Sequence, residues 1–162
     1  MYRRVAATPT EVMAVYADFA GQSAYMPDMR VSRVVSRPAR QSLDVFYEYE
    51  VPGPNEKYTV RVTVARTGAG WQAGWTLLGA RYARRLSGEV TVEPLSDGAL
   101  LVYVNRVDPG IFGVTLGNPE SVKNRLEATV VALSRHVEKL VAERPGMIVT
   151  LVHALQSMAE AH

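Results

Sequence analysis

The chain has 162 residues, 48% of them hydrophobic, enough for one domain with a substantial core and too little for two comfortable ones. Its 18 Lys and Arg stand against 16 Asp and Glu, so the sequence pI near 9.0 reflects a small excess and no basic footprint for nucleic acid. With no cysteine, disulfide frameworks, thiol nucleophiles and Cys-type zinc or iron–sulfur sites are excluded.

Residues 2–6 read as a strand that starts almost at residue 1. Thr8-Pro9-Thr10-Glu11 then forms a capping-box pattern with Pro at the first helical position. Val12, Val15, Tyr16 and Phe19 supply the apolar face of that helix, and residues 18–23, with Gly21, break it. Tyr25-Met26-Pro27-Asp28-Met29 reads as a turn carrying large apolar side chains that must go inside something. From residue 30 to 108 the pattern alternates, with strands expected over 31–36, 43–51, 58–65, 71–78, 86–92 and 100–107. The breaks carry turn residues: Arg37-Pro38-Ala39, Pro52-Gly53-Pro54-Asn55, Thr67-Gly68-Ala69-Gly70, Gly79-Ala80-Arg81 and Ser96-Asp97-Gly98. Connections this short imply antiparallel neighbours, seven strands in all. Val45, Tyr47, Tyr49 and Val51 alternate with Asp44, Glu48 and Glu50, so the sheet is dry on one face and wet on the other.

The partner for that dry face is a helix over 118–143. Asn118 suits the N-cap, Pro119 the first turn and Glu120 the positive end of the helix dipole. Val122, Leu126, Val130, Leu133, Val137, Leu140 and Val141 make an apolar stripe, while Lys123, Asn124, Glu127, Ser134, Arg135, Glu138 and Lys139 make the wet side. Pro145-Gly146 is expected to end it, with Gly in the C-terminal cap region. Ile148, Leu151, Val152, Leu155 and Met158 then describe a short amphipathic helix that must dock, either at the cavity mouth of its own subunit or on a second copy. The division is therefore 1–144 for the main domain and 145–162 for the added helix. The longest apolar run, 147–155, is too short to span a bilayer, so no stable membrane insertion is expected. The compartment is cytoplasmic by default, with export open should a signal precede residue 1.

Order of elements and scattered positions together resemble the helix-grip fold of the START-like, Bet v 1-like superfamily, and in particular its bacterial polyketide cyclase/dehydrase and lipid-transport members. The residues that carry the likeness are Ala7 to Val12 followed by Asp18, then Tyr25-Met26-Pro27, Trp75, the run from Gly88 to Pro94, Asp97-Gly98 with Val102-Tyr103, and the long helix. The likeness covers about residues 2–143. It implies an α+β fold in which a curved seven-stranded sheet wraps a long C-terminal helix around a cavity, with the short helix as an addition.

In such a fold the inward strand positions are candidate ligand contacts: Tyr47, Tyr49, Trp75 and Tyr103, with Met26 and Met29 near the mouth and Thr129 and Leu133 on the helix. Aromatic rings offer apolar area and tyrosine adds a hydroxyl, which suits a sterol-like, isoprenoid or polyketide ligand. Taken singly, each aromatic is explained by core filling before ligand contact, and Val102 and Val104 compete with Tyr103 for the inner face. The Thr129 hydroxyl returns to a backbone carbonyl or points at the cavity. Arg81, Arg84 and Arg85, at the turn into the sixth strand, read first as surface residues, with Arg84, which shares parity with Leu86 and Val90, also a candidate inward counter-charge to a carboxylate or phenolate. His136, alone at a helix edge, reads as solvated or capped before it reads as an acid or base. Asp44, Glu48 and Glu50 read as solvated strand carboxylates. No metal-ligand spacing, phosphate loop or nucleophile elbow appears, so no metal, cofactor or catalytic residue is assigned. Three functions follow: a carrier or sensor of a hydrophobic small molecule, a polyketide cyclase or aromatase, or a protein-interaction module, each as monomer or homodimer.

Overall fold

The structure, a computed structural model, describes residues 1–51, 53–108 and 119–159. The expected N-cap Asn118, Pro52 of one turn and the terminal residues 160–162 lie outside them. Strand β1 spans Tyr2–Val5 and leads into helix α1, Pro9–Ala17. Thr8 closes the expected capping box: its hydroxyl accepts the Glu11 N–H at 3.3 Å and the Glu11 carboxylate accepts the Thr8 N–H at 2.7 Å. All five residues from Val12 to Tyr16 are buried, which a helix achieves only when it is covered on more than one side. Strands lie against one side of α1 and the C-terminal helix against another.

A 3-10 turn at Gln22–Ala24 precedes strands β2 (Met29–Ala39), β3 (Ser42–Tyr49), β4 (Glu56–Thr67), β5 (Gly70–Ala80), β6 (Arg85–Leu95) and β7 (Gly98–Asp108). They form one antiparallel sheet in the order β1-β7-β6-β5-β4-β3-β2. Most strands outrun their expected ends. Pro38 was expected to break β2 and instead lies within it, because β2 is an edge strand and a residue without N–H can face away from its single neighbour. The β2–β3 ladder shifts register on both sides of Ser36 to absorb it. Val51, expected to continue the dry face of β3, lies beyond the strand and is half-buried.

Helix α2, Pro119–Glu143, carries the expected stripe, but only its C-terminal half is dry. Val130, Leu133, Val137 and Leu140 are buried in the common core, whereas Leu126 is half-buried and Val122 is 54% exposed. Ser134, expected on the wet side, is fully buried because α1 and the last helix pack on α2; its hydroxyl donates to the Val130 carbonyl at 2.7 Å. The end of α2 also departs from expectation. Arg144 alone separates it from helix α3, Pro145–Ala159, with Pro145 opening the new helix and Gly146 in its first turn. Gly146 has no positive φ, so it is not a left-handed cap.

Ile148 and Leu155 of α3 are buried, and the helix packs on α1, α2 and β4 of its own chain. Its terminal carbonyls are capped from the β2–β3 turn: Arg40 Nε donates to Ser157 O at 2.9 Å and Gln41 Nε2 to Ala159 O at 3.1 Å. Ending the chain after Glu143 uncovers α1 and removes two buried side chains worth about 1.5–3 kcal/mol each. A urea titration of that truncation is expected to show a loss of about 3 kcal/mol or more; an unchanged midpoint would mean that α3 contributes nothing to the domain.

Candidate ligand cavity

Trp71 and Ala73 on β5, Val90 and Val92 on β6 and Ala99 on β7 make the part of the inner face that α1 covers. Toward the other end the same face carries Tyr47 and Tyr49 on β3, Tyr58 on β4, Trp75 on β5 and Tyr103 on β7. Tyr103 has the parity of Ala99 and Leu101, which are both fully buried, and that places it inside rather than Val102 or Val104. Its ring lies 5.3 Å from that of Trp75. Trp75 can lie flat against β6 because the facing residue is Gly88, where a Cβ would come within 2.3 Å of the indole and of the Val104 carbonyl oxygen.

The tyrosines form a connected group. Tyr47 contacts Tyr49 at 6.2 Å and Tyr58 at 5.6 Å, and Tyr49 stacks on Tyr58 at 5.7 Å with 9° between planes. Tyr16 of α1 and Tyr25 after the 3-10 turn complete the group. Gln22, buried to 2%, ties it to the backbone: its Oε1 accepts the Tyr47 hydroxyl at 2.8 Å and its Nε2 donates to the Tyr16 carbonyl at 2.7 Å. Burial pushes all six phenols up, with Tyr49 held to about 12 because Tyr58 donates a hydrogen bond to it. Yet Tyr25, Tyr49, Tyr58 and Tyr103 all keep accessible surface.

Beside Tyr49 lies a pocket of about 440 Å³, within the range of small-molecule sites. Pro27, Asp28 and Tyr49 form one wall, and the first turns of α2, from Glu120 to Thr129, form the other. The pocket is thus the place where α2 fails to close on the sheet. Asp28 at this rim has φ 59°, the one positive value among described non-glycine residues, in a region that Asp tolerates better than most side chains.

The expected site residues divide on inspection. Tyr49 and Thr129 line the pocket, although the Thr129 hydroxyl donates to the Arg125 carbonyl at 2.9 Å. Tyr47, Trp75 and Tyr103 stand behind Tyr49. Met26 and Met29 flank Pro27 and Asp28 but are themselves buried in the core, and Leu133 is fully buried with no surface to offer a ligand. Arg84 precedes β6, is exposed, and takes no place in the buried group, so it is not an inward counter-charge. Asp44 is not a solvated carboxylate: it is 9% exposed on the outer face, where Arg61 and Ser36 hold its pKa below the usual value. His136 is stacked on Tyr25 at 4.1 Å, and burial lowers its pKa. Sequence reasoning missed Tyr16, Tyr58 and Gln22. Tyr58 shares the parity of Val60 and Val62 and was findable, whereas nothing in the sequence marks Gln22.

A curved antiparallel sheet gripping a long helix around an aromatic cavity defines the helix-grip class. The chain belongs to the polyketide cyclase/dehydrase and lipid transport family, whose family model matches residues 2–138. No curated protein matches the sequence significantly. Among solved structures, a START superfamily protein from Mycobacterium smegmatis is 19% identical, with 86% of this chain and 96% of that one covered and a TM-score of 0.72. A STAR-related lipid transfer protein fragment from Xanthomonas axonopodis is 21% identical, with 84% and 82% covered and a TM-score of 0.67. The Zhui aromatase/cyclase from Streptomyces sp. R1128 is 19% identical, with 87% and 93% covered and a TM-score of 0.63.

Tyr47→Phe leaves the buried Gln22 Oε1 without its donor and is expected to lower stability by about 1–3 kcal/mol by chemical denaturation. An unperturbed midpoint would show that Gln22 finds another partner. His136 has a folded pKa below its unfolded value near 6.5, so the unfolded chain binds the proton more readily. Its contribution to stability is fully present above about pH 6.5 and is lost as pH falls through the folded pKa. His136→Phe, which keeps a ring against Tyr25, is expected to flatten the stability profile between pH 7 and 5. Equal slopes for both proteins would assign the pH dependence to other groups.

Proposed function

We propose that the protein is a non-catalytic carrier or sensor that holds one hydrophobic small molecule between the sheet and α2. The observation that carries this reading is the group of desolvated yet accessible tyrosines behind a pocket of about 440 Å³. The family description, polyketide cyclase/dehydrase and lipid transport, supports a hydrophobic ligand and leaves a cyclase as the second reading. His136 is committed to its stack on Tyr25 and does not line the pocket, whose charged side chains are Asp28, Glu120 and Arg125 at the rim. Among the described residues no group of three acidic or His side chains comes together as a metal would require, and no helix is long and apolar enough to cross a membrane. With α3 docked on its own α1, the chain buries internally the surface that a second copy would otherwise use, which supports a monomer.

Tyr49→Ala and Trp75→Ala are expected to weaken binding of a neutral environment-sensitive dye such as N-phenyl-1-naphthylamine by more than they lower stability, measured by fluorescence titration beside thermal melting. Normal dye binding by both variants with strongly lowered melting would make these residues core and would place the ligand elsewhere. Turnover of a polyketide-like substrate by the wild type, abolished in His136→Ala or Arg84→Ala, would replace the carrier reading with the cyclase one.

A further inference from the structure

Among the described residues, three polar atoms of the interior have no protein partner: the hydroxyls of Tyr16 and Tyr103 and the indole N–H of Trp75. Among those residues no side-chain nitrogen or oxygen is both sealed from solvent and unpartnered, so each of the three keeps some accessible surface. Trp71 makes the contrast: its indole N–H donates to Thr10 Oγ1 at 3.1 Å. Tyr103 lies beside Trp75, with ring centroids 5.3 Å apart, so two of the three donors are neighbours. All three atoms are donors.

Charge is what the interior lacks. Among the described residues no Lys or Arg is buried, and the pocket rim sets Asp28 and Glu120 against Arg125. A carboxylate brought to Tyr103 would lose its water without gaining a counter-charge, whereas a carbonyl or hydroxyl oxygen would find unpartnered donors.

We propose that the cavity selects a neutral, ring-containing molecule through a carbonyl or hydroxyl oxygen held by Tyr103, with Trp75 and Tyr16 as the neighbouring donors, and rejects the carboxylate analogue of the same ring. The ligand therefore enters polar end first and leaves its apolar end toward Tyr49 and α2. Burial raises the pKa of the Tyr16 and Tyr103 phenols, so both remain protonated donors throughout the physiological range. This inference rests on the cavity reading above.

The test is calorimetric titration of the full chain at pH 7 with naphthalene, 2-naphthol and 2-naphthoate, which share one ring system and differ in the oxygen group. 2-Naphthol is expected to bind at least about tenfold more tightly than 2-naphthoate. Tyr103→Phe, which keeps the ring, is expected to weaken 2-naphthol by roughly five- to tenfold and to leave naphthalene unchanged. Equal affinity for the two oxygenated ligands, or a Tyr103→Phe variant that binds 2-naphthol as the wild type does, would overturn the selection while leaving the cavity in place. Failure of all three to bind protein that is folded by circular dichroism would overturn both this inference and the carrier reading.

Discussion

A seven-stranded sheet with one dry face has to be covered, and the three helices available cannot cover all of it. Every other feature follows from how that shortage is distributed. Helix α1 packs on β5, β6 and β7, with Thr10 accepting the Trp71 indole N–H, and α3 seals its far side. The C-terminal half of α2 completes the cover with Val130, Leu133 and Val137. The N-terminal half meets the aromatic end of the sheet, does not close on it, and leaves Val122 exposed and the pocket open. The pocket thus forms beside Tyr49, where the first turns of α2 face the sheet.

The interior that results is polar without being charged. Six tyrosines share it, and their hydroxyls are desolvated far more than water-exposed phenols would be. Neutral hydroxyls tolerate this because one hydrogen bond satisfies most of their need, as Gln22 shows for Tyr47. The ionisable pairs are kept to the outer face of the sheet, where Arg61 meets Asp44 and Lys57 meets Glu48 with solvent at hand. This separation of inner phenols from outer charges gives the cavity its chemical character.

The aromatic end needs a firm rim, and a single carboxylate supplies much of it. Glu56, paired across from Tyr49, accepts the backbone N–H groups of Arg81, Tyr82 and Ala83 at 3.2–3.3 Å and so fixes the β5–β6 turn. Arg81 in turn donates to the Asn55 carbonyl at 3.0 Å. Two loops that leave the sheet beside the tyrosines are therefore held to each other. Glu50 donates its N–H to the Asp28 carbonyl at 2.8 Å and ties in the pocket wall.

Periodicity, caps and turns were legible in the sequence because they are local. The capping box at Thr8, the alternation on β3, the antiparallel order implied by short turns and the amphipathic α2 needed only neighbours within a few residues. Parity alone also put Tyr47 and Tyr49 on the dry face. What the sequence could not decide were contacts between elements distant along the chain. Ser134 was buried by helices that pack on α2, and Pro38 was tolerated because β2 became an edge. Pro145 opened a helix rather than merely ending one, since α3 had α1 to dock on. Gln22 acquired its role only when Tyr47 and Tyr16 met across it. Leu126 and Val122 continue the same stripe as Leu133, and only the curvature of the sheet beneath them determined that they would border an opening instead of a core.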